Sequence, residues 1–230
     1  MHIDIWLDFS CPFCYIGKKR FEKALKTFKY QKEVTVSYKS YLLHPYMTIE
    51  KGFTSAEMLS KHKDITLDEA NSIQDKVTKM AFEDDIVLAF DRLVPANTLH
   101  MHKLLKMIED VNKQTHFINE IYEAYFEYGE NIESLEILSK YGTKYGVDML
   151  KIQQAYLSND NLDLIKQDID HAESIGVRGV PFFVANHKYG LAGAQPTFVF
   201  LEMLEELYYE SKPKNKSKTE YCVGDHCQRK

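Results

Sequence analysis

The chain has 230 residues, 44% of them hydrophobic and 27% charged, with a formal net charge of −5. That composition fits one globular unit with a real core, and its mild acidity gives no reason to expect a nucleic-acid partner. No run approaches the ~18 apolar residues of a membrane span, and the opening "MHIDIWLDF" lacks the basic n-region of a signal peptide. The expected compartment is therefore the cytosol, with no membrane partner. There, paired cysteines are more often catalytic or metal-binding than structural.

Ile3, Ile5, Leu7 and Phe9 alternate with Asp4, Trp6 and Asp8, the period of a strand. Pro12 suits the first turn of a helix, and Phe13, Ile16, Phe21, Leu25 and Phe28 give it an apolar stripe. "VTVSYKSYLL", residues 34–43, is rich in β-branched and aromatic residues and reads as a second strand. From about 54 to 157 the pattern is helical throughout. Thr54 with Glu57, and Thr66 with Glu69, each fit a capping box, and apolar stripes recur at helical spacing up to a stop at Gly129. Leu162, Ile165, Ile169 and Ala172 mark one more helix, ending at Gly176. "PFFVAN" and "HKYGLAG" read as two short strands joined by a tight turn near Asn186–His187, before a last helix over 196–210.

This order gives an α/β fold of thioredoxin-like type (βαβ…αββα) with a large all-helical insertion. The expected units are residues 1–44 with 160–210, a helical insertion over 45–159, and a flexible basic tail over 211–230. The tail carries six basic and two acidic residues and a second cysteine pair.

The stretch "DFSCPFCYIG" sets Cys11 and Cys14 at the start of the first helix. Free backbone N–H groups and the positive end of the helix dipole favour a thiolate at the first cysteine. The second, about a turn on, is placed to resolve a mixed disulfide. Cys11 is the expected nucleophile, exposed at the strand-to-helix turn, and Cys14 the more buried resolver. Structural zinc wants four ligands, and no second CxxC or close histidine pair lies nearby; packing is the other reading. "GVRGVPFFV", residues 176–184, predicts a cis Val180–Pro181 bond facing the dithiol.

"DFSCPFCYIGKKRFE", "NTLHMHKL" at 97–104, "GVRGVPFFV" and "GAQP" at 193–196 run in order through most of residues 1–200. Together they resemble the DsbA superfamily, most closely its FrnE-like branch of cytosolic disulfide oxidoreductases. The resemblance implies Cys11 and Cys14 as redox pair and a cis Pro181, with no bound cofactor and no resident metal. Pro12, Phe13 and Val180 join them as substrate-binding candidates. It also implies that the region around Asn97 faces the active-site cleft, where His100 and His102 could meet substrate; read from the residues alone, both histidines are solvated helix positions. Partners would be protein or small-molecule thiols and disulfides, glutathione or a similar thiol among them; the oligomeric state is not legible.

One departure matters. Strongly oxidising members have a histidine where Phe13 stands, and phenylalanine can neither donate to the Cys11 thiolate nor stabilise it by charge. A potential more reducing than the ~−120 mV of the strong oxidant is expected, suiting a reductase or isomerase. The tail sequence "CVGDHC", residues 222–227, looks like the C-terminal cysteine pair of some FrnE-like proteins. It implies a relay from Cys222–Cys227 to Cys11–Cys14; metal binding by Cys222, His226 and Cys227, or an idle tail, are its rivals. Two other functions compete with the oxidoreductase. One is a glutathione-dependent transferase or isomerase of the kappa or hydroxychromene carboxylate isomerase type; the other is a non-catalytic DsbA-like adaptor.

Overall fold

The computed structural model describes residues 1–45 and 52–212, and the backbone alone of 221–223 and 226–228. A four-stranded sheet with the order β2–β1–β3–β4 lies at its centre. β1 (His2–Leu7) runs parallel to β2 (Thr35–Ser40), with Ile3 opposite Val36 and Ile5 opposite Tyr38. It runs antiparallel to β3 (Phe182–Ala185), with Trp6 opposite Phe182. β3 turns back into β4 (Tyr189–Ala192) through Asn186 and His187, at φ 48° and 56°. The loop has three residues, 186–188, and its tight turn is closed by Lys188 N–H on the Ala185 carbonyl at 3.0 Å. Left-handed backbone at both central positions suits the strand twist, and asparagine tolerates it well.

Ile3, Ile5 and Leu7 face α1 (Pro12–Thr27) and α9 (Thr197–Ser211). Phe183 meets Phe21 there at 5.5 Å and Phe200 at 4.7 Å between ring centroids. The other face carries Trp6 and Val184, packed with Ala172 of α8 (Leu162–Ser174) and Val177. The Trp6 indole donates to the Asp168 carbonyl at 2.9 Å. The alternation in the first strand thus does not mark a wet face. Helices cover both sides, and Asp4 and Asp8 are as buried as their apolar neighbours.

Between β2 and α8 the chain inserts α2 (Ser55–Lys63), α3 (Leu67–Phe82), α4 (Leu99–Met107), α5 (Val111–Tyr122), α6 (Leu135–Lys144) and α7 (Met149–Leu157). Both expected capping boxes form, on α2 and α3. The expectation of continuous helix fails over residues 83–98. That segment runs as an irregular connection between α3 and α4, burying Ile86, Leu88 and Leu93. Ala89 N–H donates to the Phe126 carbonyl at 2.8 Å. Pro95 opposes helix in the residues around it, and the apolar residues here do not follow a 3.6-residue stripe. A turn of π-helix over Glu123–Glu127 continues α5.

Buried charges tie the insertion to the sheet unit. Lys18 of α1 donates to Asn119 Oδ1 at 2.6 Å and the Thr115 carbonyl at 3.2 Å in α5, and pairs with Glu22. Asp168 of α8 accepts from Ser40 N–H at 2.7 Å and pairs with Lys106 of α4. Among the described residues no helix is long and apolar enough to cross a membrane.

Candidate active site

The dithiol is built by the turn from β1 into α1. Cys11 occupies the N-cap position in extended backbone, and Pro12 follows where a missing N–H is harmless. No side chain caps this helix end. Pro12 has no N–H and the Cys14 N–H donates to the Cys11 carbonyl at 3.0 Å, so the Phe13 N–H and the helix dipole are what the first turn offers a thiolate nearby. Both cysteines are free thiols. Cys11 is 3% exposed and Cys14 1%. Cys11 is therefore recessed, not open at a surface turn as the sequence suggested, because the helical insertion builds a wall over it.

Val180–Pro181 is cis, as the sequence predicted. The Cys11 thiol donates to the Val180 carbonyl at 3.5 Å, so this loop lies directly against the Cys11 sulfur. Gly17, on the next turn of α1, permits that approach. A Cβ there would stand 2.9 Å from Pro181 Cγ and 3.3 Å from Ala194 Cα. The Pro181 carbonyl in turn accepts from Gly193 N–H at 2.8 Å.

Beneath the pair lies a buried polar group that sequence reasoning did not assign. Asp8 is 1% exposed. Its carboxylate accepts from Thr98 Oγ1 at 2.7 Å, Leu43 N–H at 2.7 Å and Ser10 N–H at 3.1 Å, and its carbonyl from Tyr122 Oη at 3.1 Å. His102 Nε2 lies 3.7 Å from Asp8 Oδ1, an ion-pair distance rather than a hydrogen bond, and neither ring nitrogen has another partner. His102 is wholly buried against Phe9, not solvated. Burial acts to raise the Asp8 pKa, but His102 and the N–H and hydroxyl donors outweigh it and hold the group below its ordinary value. Burial, then the hydrogen bond and charge of Cys11, push the Cys14 thiol well above the usual cysteine range. Thr98, His102 and Tyr122 all belong to the insertion, which thereby completes the floor of the site.

Cys11, Pro12, Phe13 and Val180 open into a groove of about 400 Å³ between the sheet unit and the insertion. Its walls are mainly apolar, with Ile73 and Val77 of α3, Phe90 and Leu93 of the irregular connection, and Tyr125 and Phe126 of the π turn. Asn97 and His100, expected at this cleft, do not line it. The Asn97 side chain accepts from Leu99 N–H at 3.0 Å, and His100 stacks on Tyr156 in a separate crevice. Pro95 and Ala96 reach the groove instead. Among the described residues no cluster of His, Cys, Asp and Glu is arranged to hold a metal ion. The tail side chains lie outside the described residues; its backbone pairs Tyr221–Val223 with His226–Gln228 and sets Cys222 opposite Cys227.

The model of the DSBA-like thioredoxin domain matches residues 2–205. The chain belongs to that family. This DSBA-like chain is similar to the crystal structure of a probable DsbA oxidoreductase from Streptomyces coelicolor, at 27% identity and a TM-score of 0.84 over 99% of this chain and 98% of that one. It shares its fold with a 2-hydroxychromene-2-carboxylate isomerase, at 18% identity and TM-score 0.69, over 91% and 97% of the two chains. The same holds for the cytosolic disulfide reductase DsbM of Pseudomonas aeruginosa, solved with glutathione, at 14% identity and TM-score 0.65 over 91% and 100%. A thiol–disulfide oxidoreductase family, a recessed dithiol and a cis-proline loop against the first sulfur agree with one another.

Proposed function

We propose that this DSBA-like protein is a thiol–disulfide oxidoreductase of reductase or isomerase type, working in the cytosol. The observation that carries the reading is the Cys11 thiol at the free end of α1, hydrogen-bonded to the Val180 carbonyl at the mouth of the groove. The Cys11 thiolate attacks one sulfur of a substrate disulfide, forms a mixed disulfide and releases the other sulfur as a thiolate that takes a proton. Cys14 loses its proton and attacks Cys11 Sγ; the second substrate thiol leaves, and Cys11–Cys14 closes as a disulfide. Two electrons have passed to the substrate. Two equivalents of a low-molecular-weight thiol, glutathione or a similar compound, restore the dithiol and leave as their own disulfide.

The direction rests on Phe13. It borders the groove beside Cys11 and offers neither a proton nor a charge to the thiolate. The raised Cys14 thiol supports the same direction, since burial favours the protonated, reduced form. Pro12, Phe13 and Val180 are the proposed substrate contacts. The tail pair Cys222–Cys227 is proposed as a relay that reloads Cys11–Cys14; the opposed backbone positions of the two cysteines support it.

The test is single-turnover reduction of a peptide disulfide by pre-reduced protein. Wild type should release both peptide thiols, and Cys14→Ser should stop at the mixed disulfide. Cys11→Ser should be inert. Cys222→Ser with Cys227→Ser should keep the single turnover and slow only the reloading. Undiminished activity in Cys11→Ser would refute the assignment.

A further inference from the structure

The chain carries 34 acidic residues against 29 basic ones, yet among the described residues none of the groove's lining is acidic. Its charged or protonatable lining among the described residues, apart from Cys11 and Tyr125, is His44, His62 and Lys63. His62 and Lys63 close the last turn of α2, where cations favour the helix end without any ligand. That alone explains their place on the helix, not the arrival of His44 from another element. The His44 ring comes from the loop after β2 and meets the His62 ring edge to face, with centroids 3.8 Å apart. His44 Nδ1 is buried and has no hydrogen-bond partner.

We infer that the basic group His44–His62–Lys63 is a subsite for the anionic end of a small organic disulfide or thiol whose apolar body fills the groove. The inference rests on the thiol–disulfide reading for its sulfur chemistry, and adds to it the class of substrate. The apolar walls and the volume of about 400 Å³ match a compact, drug-sized ligand. Recession of Cys11 to 3% exposure favours a slender molecule over a disulfide on a folded surface. Charge complementarity selects the end group. The attack balances as above, with the carboxylate-bearing half retained on Cys11 and the other half leaving as thiolate.

Among the described residues the charged groups acting on His44 are His62 and Lys63 of α2 and Asp8 of the turn before α1. Burial, then His62, hold His44 toward its neutral form against the pull of Asp8. A bound anion favours the imidazolium forms, so anion affinity should fall as the pH rises through the histidine range.

Two dyes with one apolar body separate the contributions. 8-Anilinonaphthalene-1-sulfonate carries an anion that N-phenyl-1-naphthylamine lacks, and binding of either is read by fluorescence without any redox step. His62→Gln with Lys63→Gln, at an exposed helix end, should weaken the sulfonate about tenfold, ~1.4 kcal/mol, and leave the neutral dye within about twofold. Sulfonate affinity in wild type should drop several-fold from pH 6 to pH 8, with the neutral dye unchanged. Ala96→Trp should fill the groove and abolish both. Equal loss of both dyes, no loss of either, or binding that survives Ala96→Trp would overturn the subsite. Displacement of the sulfonate by an acidic apolar octapeptide but not by 4-phenylbutyrate would overturn the small-molecule assignment. If the dyes behave as stated and Cys11 exchanges no disulfide, the subsite stands and the oxidoreductase reading falls; the reverse pattern spares that reading.

Discussion

Thr98 Oγ1 donates to Asp8 Oδ1 at 2.7 Å, joining the start of α4 to a carboxylate three residues before Cys11. This bond crosses from the insertion to the sheet unit. It makes the geometry under the dithiol depend on both. The Tyr122 hydroxyl repeats the connection at the Asp8 carbonyl, which also accepts from Cys11 N–H at 3.2 Å.

Asp8→Asn should therefore cost on the order of 3 kcal/mol, because it leaves buried donors facing an amide. Asp8 is held below its ordinary pKa in the fold. Its stabilisation is then fully present above the unfolded value near 4 and is lost as the pH falls through the lower folded value. Urea titrations from pH 7 to pH 3 should show wild type losing stability below about pH 4 and Asp8→Asn losing less. An equal acid slope in the two proteins would contradict this account.

Gly17→Ala tests the approach of the first helix to the proline loop. Something must move when a Cβ lies 2.9 Å from Pro181 Cγ, and the backbone at Ala194 is 3.3 Å away on the other side. Overpacking of this kind costs about 1–3 kcal/mol. The melting temperature should fall, and the rate of exchange at Cys11 should fall with it as Val180 shifts. An unchanged melting temperature and rate would show that the loop gives way freely.

The two thiols should separate by reactivity. Cys14 is pushed well above the ordinary cysteine range by burial and by Cys11, and the thiolate is the reactive form. Brief treatment of the reduced protein with iodoacetamide at pH 7.5, followed by peptide mass analysis, should label Cys11 first. Cys14 labelling should appear only as the pH is raised above about 9, or after unfolding. Preferential labelling of Cys14 at neutral pH would reverse the assigned roles.

Thr66→Ala serves as a remote control. The Thr66 hydroxyl accepts from Glu69 N–H at 3.2 Å, and Glu69 returns a bond to Thr66 N–H at 2.9 Å, on the exposed end of α3. Loss of such a cap costs about 1 kcal/mol. Stability should fall by that amount, and single-turnover exchange should not change.

Features set by local chemistry were legible in the sequence. The capping boxes, the Asn186–His187 turn and the helix-opening Pro12 each depend on a few adjacent residues. Pro181 was readable because it sits in a resembled motif. His102 was misread because a helical stripe marks only the most apolar face. α4 packs against α5, α6, α7 and α8, so even the flank bearing His102 is buried. Asp8 was missed because alternation alone does not show that the strand it follows is covered on both sides. The groove was hidden because its walls come from residues between 10 and 180, several on an irregular connection without a periodic signal. Asn97 and His100 carried a correct segment but the wrong side chains; the residues just before them, Pro95 and Ala96, line the groove.

The most direct measurement is the thiol–disulfide equilibrium of Cys11–Cys14 in graded glutathione buffers, counted by mass in wild type and in Cys222→Ser with Cys227→Ser. The account predicts a reversible two-electron transition of Cys11–Cys14 in both proteins, at a potential well below the ~−120 mV of a strong oxidant, with a second transition, of the tail pair, in wild type alone. A pair that never oxidises across the range, or one that equilibrates near that strong oxidant, would contradict it.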